Sequence, residues 1–146
     1  MPALLSWLAT LAAGLFAGAA VYVSLVEHPA RVSLGGHAAV QHFRPSYRRG
    51  AAMQAPLALV GAAAGIARWA LGGSAAWAIG GLALGALVPF TLLAVMPTNA
   101  RLLDERVEAG SDEAATLLRR WGRLHAVRSA VSVIVFAGFI ALLARR

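Results

Sequence analysis

The chain has 146 residues, of which 60% are hydrophobic and only 13% are charged; its formal net charge is +7, and it contains no cysteine and no lysine. A soluble domain is roughly a quarter charged, so this composition excludes an ordinary soluble protein and predicts a single integral membrane domain over residues 1–146. The missing residue types exclude disulfides, thiolate metal sites and Schiff-base chemistry, and the arginines flank apolar runs, which argues against nucleic acid as a partner.

Four apolar runs are long enough to span a membrane, which takes ~20 residues in a helix. They cover about residues 3–26, 51–71, 75–96 and 124–144. The first run is longer than the apolar core of a signal peptide, so we expect it to be a span. The predicted fold is all-α, a bundle of four transmembrane helices, with a tight turn at Gly72-Gly73. Long polar loops, 28–50 and 97–123, are expected to join the other pairs of helices.

The first run carries no charge until it reaches Glu27, His28 and Pro29. Because a proline disfavours helical geometry in the residue before it, we expect the first helix to end at Pro29 and the third at Pro97. Pro89 predicts a kink in the third helix. In the first long loop, residues 36–43 could form a short helix that ends before Pro45.

The fourth helix is predicted to begin near Asp112, with Ser111 as its N-cap and acidic residues in its first turn. Within it, a polar stripe recurs at helical spacing. The stripe consists of Trp121, His125, Arg128 and Ser132. Lipid would not tolerate such a stripe, so it should face the bundle. The ends of the first and third helices should supply Glu27, His28, Thr98 and Asn99 opposite it.

Small residues and faint self-similarity suggest how the helices pack. Three spans contain the G-x-x-x-G spacing, at Gly14/Gly18, Gly61/Gly65 and Gly81/Gly85. Such spacing lets helices approach closely, either within one bundle or in a homo-oligomer. Sliding the chain by 71 residues superposes Gly14 on Gly85 and His28 on Asn99, which suggests two helical hairpins related by a parallel repeat.

The arginines are unevenly distributed between the two ends of the predicted bundle. Nine flank the long loops, and three lie on the side of the chain termini. The positive-inside rule then predicts a multi-pass protein of the cell membrane, with both long loops in the cytoplasm and both termini outside.

Two kinds of chemistry fit the polar residues. In one, Glu27, His28 and His125 bind a metal through a carboxylate and two imidazoles. In the other, which needs no cofactor, His125 or His28 takes a proton from a phenol-like substrate, while Arg128 and Asn99 stabilise the oxyanion. A purely structural role also remains open for Glu27, because its carboxylate could simply pair with Arg31.

Three motifs resemble the anthrone oxygenase-like family of small four-helix membrane proteins. They are Val26-Glu27-His28-Pro29-Ala30, then Pro89-Phe90-Thr91 leading to Pro97-Thr98-Asn99, and Trp121-x-x-Leu124-His125-x-x-Arg128. Characterised fungal relatives oxidise anthrones to anthraquinones with molecular oxygen. The resemblance implies roles for Glu27, His28, Asn99, His125 and Arg128. It implies molecular oxygen as co-substrate, with either no cofactor or a metal or haem bound through histidine.

The sequence therefore supports two hypotheses. The first is a membrane-embedded oxidoreductase, an oxygenase that takes a lipophilic polycyclic phenol, anthrone or quinol-like substrate from the lipid. The second is a non-catalytic membrane protein that binds haem, a metal, a quinone or lipid.

Overall fold

The computed structural model describes residues 1–145, which contain four long helices. These are α1 (Pro2–Ser33), α2 (Gly36–Ala70), α3 (Ala75–Leu103) and α4 (Asp112–Ala144). Each is long and apolar enough to cross a membrane. The predicted all-α fold with four membrane helices is confirmed.

The helices are arranged in a ring in which each packs against two neighbours. Both α1 and α3 contact α2 and α4, while α1 and α3 lie diagonally opposite each other. Short connections make successive helices antiparallel. We call the end with the α1–α2 and α3–α4 connections the loop end, and the end with the chain termini and the α2–α3 turn the terminal end. In that turn Gly72 has φ +85°, a conformation that favours glycine, as the Gly72-Gly73 prediction requires.

The helices α1 and α3 do not end at Pro29 and Pro97, so this prediction was wrong. In each helix a π-helical segment precedes the proline, Val23–Glu27 in α1 and Thr91–Val95 in α3. The residue before each proline donates its N–H to the carbonyl five residues back. This wider turn accommodates a residue that lacks an N–H and would clash with the regular α-helical ladder. The chain therefore stays helical through both prolines.

Most of the two predicted long loops is consequently helical. Residues 36–43 are the first part of α2, which continues past Pro45 to Ala70. With 35 residues, α2 is about 52 Å long at 1.5 Å per residue. A hydrocarbon core is about 30 Å thick, so the helix extends well beyond it. The π segments begin at Val23 and Thr91, 68 residues apart, so the 71-residue register does not superpose them.

The start of α4 follows the prediction. Ser111 is its N-cap, and the hydroxyl accepts a hydrogen bond from the Ala114 N–H at 3.2 Å. In the preceding connection, the side-chain and backbone N–H groups of Arg106 donate to Asp104. These hydrogen bonds lower the pKa of Asp104 to about 2, so its carboxylate stays ionised, and able to accept them, to a lower pH than usual.

Glycines allow α2 and α3 to approach closely, as the G-x-x-x-G spacing predicts. A Cβ at Gly65 would lie 2.8 Å from the Trp77 carbonyl oxygen, and one at Gly81 would lie 2.8 Å from that of Ala62. A larger residue at either position would force the helices apart. These contacts are made within one bundle, and the homo-oligomer stays a prediction.

Two clusters of buried apolar residues form the core. The terminal-end cluster includes Phe16, Trp77, Leu84 and Phe139. The loop-end cluster includes Val40, Phe43, Val95, Leu102 and Trp121. The polar residues predicted for the fourth helix lie where the two clusters meet.

Candidate functional site

The polar stripe of α4 faces the bundle. Trp121 and His125 are 4% and 2% exposed, and Ser132 is fully buried. Arg128 is half-buried. A helix that carries these groups can tolerate lipid on its other face because the stripe is turned inward.

His125 is held by a pair of serines from two helices. Its Nδ1 lies 3.0 Å from the Ser24 hydroxyl of α1. The Ser24 hydroxyl lies 2.8 Å from that of Ser129, on α4. The Ser129 hydroxyl also lies 2.9 Å from the Ala20 carbonyl oxygen. The other ring nitrogen of His125, Nε2, forms no hydrogen bond within residues 1–145, and His125 lines the cavity described below.

Trp121 connects the two histidines by aromatic contacts. Its ring lies 4.7 Å from that of His125 in a stacked arrangement and 5.1 Å from that of His28. The Phe43 ring meets its edge at 5.3 Å. His28 also packs tightly on α4, because a Cβ at Gly122 would lie 2.5 Å from its Nε2. His28 is thus held against the helix that carries His125.

Arg31 is buried beside these aromatic rings. It is 2% exposed and forms a salt bridge with Glu27, one turn earlier on α1. Its guanidinium donates to Ser46 Oγ at 2.8 Å and to His42 Nδ1 at 3.2 Å. The guanidinium carbon lies 5.3 Å from the centre of the Phe43 ring. Glu27 is therefore paired with Arg31 and not with a histidine.

Arg128 lies on the other side of His125, one turn further along α4. It donates to Gln54 Oε1 of α2 at 3.0 Å. Its guanidinium carbon lies 5.4 Å from the centre of the Phe16 ring. An amide oxygen does not neutralise a guanidinium, so Arg128 keeps its positive charge available for an anionic group.

A cavity lies among α1, α2 and α4. Its polar lining consists of Glu27, Arg31, Ser46, Tyr47, Gln54, His125 and Arg128, and its apolar lining includes Val23, Phe43 and Trp121. The free volume is about 50 Å³, enough for a few waters. Sites for drug-sized ligands hold roughly 300–1,000 Å³. This cavity can therefore take the reacting end of a molecule, but not the whole of a polycyclic one.

Two grooves adjoin the cavity and share residues with it. The α1/α2 groove has a free volume of about 660 Å³ and includes Glu27, Ser46 and Gln54 of the cavity wall. The α2/α3 groove has a free volume of about 170 Å³ and includes Tyr47 and Arg128. The remaining wall of the α2/α3 groove consists of Phe16, Ala51, Ala55, Ala58, Leu87, Val88, Thr91, Leu92 and Met96. This second groove is apolar except at its inner end and beside Thr91.

The predicted metal ligands do not come together. Within residues 1–145 no three His, Asp or Glu side chains form a group that could hold a metal ion. The reason is local: Glu27 is engaged by Arg31, and His125 directs Nδ1 to Ser24. The arrangement of Glu27, His28 and His125 as three metal ligands is thus not formed in this structure.

Asn99, which was predicted to stabilise an oxyanion at the site, is a buried residue of α3. It is fully buried, and neither atom of its amide has a hydrogen-bond partner; the Thr98 hydroxyl is also unpartnered. Asn99 shares a helix face with Val95 and Leu102, which pack in the loop-end cluster. It does not line the cavity around His125.

Several residues that the sequence did not single out complete the site. Ser24, Ser129 and Ser46 supply hydroxyls, and Tyr47 lines both the cavity and the α2/α3 groove. A hydroxyl in an apolar helix is a weak signal by itself. The spacing of Ser129 one turn after His125 is the one sign that it shares the polar stripe.

Comparison with known proteins identifies the family to which the chain belongs. The model of the family described as anthrone oxygenase matches residues 43–138, nearly two thirds of the chain. The match includes Asn99, His125 and Arg128, but begins after Glu27 and His28. No curated protein and no solved structure matches the chain. With its four membrane helices and this match over most of its length, the chain belongs to the anthrone oxygenase family.

Proposed function

We propose that the protein is a membrane-embedded oxygenase whose substrate is a lipophilic polycyclic phenol, anthrone or quinol-like molecule. The observation that carries this proposal is the arrangement of His125 and Arg128 on one cavity wall. His125 offers a free ring nitrogen there, and Arg128 offers a positive charge not neutralised by a carboxylate. A base beside a cation is what the ionisation of a weakly acidic phenol or anthrone requires.

For an anthrone, the proposed reaction converts a ring methylene to a carbonyl. Nε2 of His125 takes one methylene proton, and the negative charge moves to the substrate oxygen, where Arg128 stabilises it. The electron-rich carbon then forms a bond to molecular oxygen, and the distal oxygen takes the proton back from His125. Loss of the second methylene proton together with this hydroxyl breaks the O–O bond. One oxygen molecule is consumed, one water is released, and the product is a quinone.

The apolar wall of the α2/α3 groove is an argument for a lipophilic substrate. Its walls are aliphatic or aromatic except near Thr91 and its inner end, and the Thr91 hydroxyl is already bonded to the Leu87 carbonyl oxygen at 2.7 Å. Ala51, Ala55 and Ala58 follow one another along α2 at helical spacing, leaving room for a flat ring. A molecule in this groove would place its polar end at Tyr47 and Arg128. Arrival from the lipid therefore needs no passage through water.

The remaining polar residues have supporting roles in this mechanism. Glu27 balances the charge of buried Arg31, which contacts the aromatic rings beside the cavity. His28 packs against Trp121. Asn99 has no part in the proposed proton transfer because it does not line the cavity.

The test is oxidation of anthrone by membranes that contain the wild type or His125→Gln. Oxygen uptake and anthraquinone formation should occur in equal amounts in the wild type. Loss of a general base typically lowers kcat by about 10²- to 10⁴-fold, and we expect a loss of this size in His125→Gln.

A matched control is His37→Gln, because His37 is exposed and bonds only to the neighbouring Gln41. It should oxidise anthrone like the wild type. Full activity in a His125→Gln protein that is folded and present at wild-type amount would remove His125 from the mechanism.

A further inference from the structure

We infer that Ser24 and Ser129 hold neutral His125 in the tautomer that carries its proton on Nδ1, so that Nε2 is the unprotonated nitrogen facing the cavity. Both serines are then positioning residues that act through the histidine. The inference deepens the proposed function and rests on it for its catalytic meaning. The tautomer itself can be measured without any activity.

The contacts run from His125 through Ser24 and Ser129 to the Ala20 carbonyl oxygen, and this last acceptor sets the direction of the hydrogen bonds. The carbonyl oxygen of Ala20 can only accept, so the Ser129 hydroxyl donates to it across 2.9 Å. A hydroxyl has one proton to give. In its 2.8 Å contact with Ser24, Ser129 must therefore accept, and Ser24 is the donor.

The same count of hydroxyl protons then determines which nitrogen of His125 carries the proton. Since the Ser24 proton is used toward Ser129, the Ser24 oxygen must accept in its 3.0 Å contact with Nδ1 of His125. The proton of that contact belongs to the imidazole. In a neutral ring with a proton on Nδ1, the lone pair is on Nε2.

The opposite tautomer would leave a poor contact. If Ser24 donated to Nδ1, Ser129 would have to donate to Ser24. The Ser129 and Ala20 oxygens would then face each other at 2.9 Å without a proton between them. Ser129 is 8% exposed and His125 is 2% exposed, so bulk water has little access to relieve this repulsion.

The site has few other groups that could reverse this order. The second carbonyl near the Ser129 hydroxyl, that of His125 at 3.3 Å, also only accepts. Either carbonyl therefore gives the same result for Ser24. Ser24 lies in the π segment of α1, whose wider turn is at the level of His125.

The tautomer is measured by NMR on protein labelled with [¹⁵N]histidine in lipid nanodiscs, at a pH at which His125 is neutral. The couplings of each ring nitrogen to the carbon-bound ring protons identify the protonated one. Loss of the signal in His125→Gln assigns it among the four histidines. We expect the proton on Nδ1. A wild-type His125 with its proton on Nε2 would overturn the inference.

Two alanine variants distinguish this relay, the hydrogen bonds from His125 through Ser24 and Ser129 to the Ala20 carbonyl oxygen, from an effect of packing alone. In Ser129→Ala, Ser24 loses its acceptor and becomes free to donate to Nδ1, so the tautomer should switch to the Nε2-protonated form. The control is Ser132→Ala, which removes another buried hydroxyl of α4 that donates to the Ser129 carbonyl oxygen. It should leave the tautomer unchanged. An unchanged tautomer in Ser129→Ala, or equal shifts in both variants, would contradict the relay.

Catalysis provides a second readout. Ser129→Ala should lower kcat for anthrone about tenfold, the effect of losing one hydrogen bond that orders the base, with little change in KM. Ser132→Ala should retain the wild-type kcat. If the wild type does not oxidise anthrone at all, the proposed function fails, while the NMR result still decides the tautomer.

Discussion

Arg31 shows how the protein holds a full charge in an apolar setting. The guanidinium has a carboxylate, a hydroxyl and an imidazole nitrogen as partners, and two aromatic rings lie close to it. Removing a charge from water is costly unless such partners replace the lost hydration. Four of these five groups are on α2 and α4, and the fifth, Glu27, is one turn earlier on α1, so the residue joins three helices.

We expect Arg31→Met to lower the free energy of unfolding by about 3 kcal/mol, because Glu27 would remain without its partner in a partly buried place. Thermal and denaturant unfolding in detergent, followed by circular dichroism, measures the change. The double variant with Glu27→Gln should recover part of the loss, since no unpaired charge remains.

The control for Arg31 is Arg119→Met. Arg119 is exposed and donates to Thr116, one turn away on the same helix. Its replacement should change the stability by less than about 0.5 kcal/mol. If Arg31→Met and Arg119→Met are equally stable, the partners of Arg31 contribute no net stabilisation.

The sequence allowed the inward face of α4 to be predicted, but not its partners. His125 was identifiable because polar residues recur along one stripe of an otherwise apolar helix. Ser24 was not identifiable, since its contact with Ser129 joins positions 105 residues apart and depends on how α1 packs against α4. Asn99 was predicted at the site from its place near a helix end, and it is buried outside the cavity lining, on a helix face with Val95 and Leu102.

At the scale of the helices, prolines misled the sequence prediction for a physical reason. A proline disrupts a regular α-helix, but a π turn placed before it removes the clash and the unmet hydrogen bond. Whether the chain ends its helix or inserts a π turn depends on tertiary packing. Here the two π segments, Val23–Glu27 and Thr91–Val95, border the cavity and the α2/α3 groove.

The α2/α3 groove leads to a prediction about substrate access. Ala55 lies in its wall, and Ala55→Trp would fill much of the ~170 Å³ free volume. We expect KM for anthrone to rise about tenfold, because a bulky side chain competes with the substrate for apolar contact. The value of kcat should change little, since His125 and Arg128 are untouched.

Ala63→Trp is the matched control for this groove. Ala63 is an exposed residue of the same helix and does not line the cavity or either groove. It should leave KM at the wild-type value. If the two tryptophan variants have the same KM, the substrate reaches the cavity by another route.

At the scale of the whole molecule, large apolar side chains cover the outside at the level of the site. Leu25 is 72% exposed on α1 beside Ser24, and Leu93 is 79% exposed on α3 within its π segment. A soluble protein rarely displays such a belt, which is typical of a surface in lipid. We therefore expect the cavity to lie at membrane depth, with the projecting part of α2 beyond it toward the loop end.

The charges of the two ends predict how the molecule is oriented. Among the residues that the structure describes, nine arginines lie toward the loop end and two, Arg68 and Arg145, lie toward the terminal end. Even without Arg31, whose charge is paired inside the bundle, eight remain against two. The positive-inside rule therefore predicts that the loop end lies in the cytoplasm and that both chain termini lie outside.

Because the chain has no cysteine, single introduced thiols can test this orientation without background labelling. Glu108→Cys would place a thiol in the exposed α3–α4 connection at the loop end, and Leu71→Cys would place one at the terminal end, where Leu71 is 50% exposed. In intact cells a membrane-impermeant maleimide should label Leu71→Cys and leave Glu108→Cys unreacted. Both should react after the cells are opened. Labelling of Glu108→Cys alone in intact cells would show the reverse orientation, and would mean that the arginines at the loop end are retained for a reason other than topology.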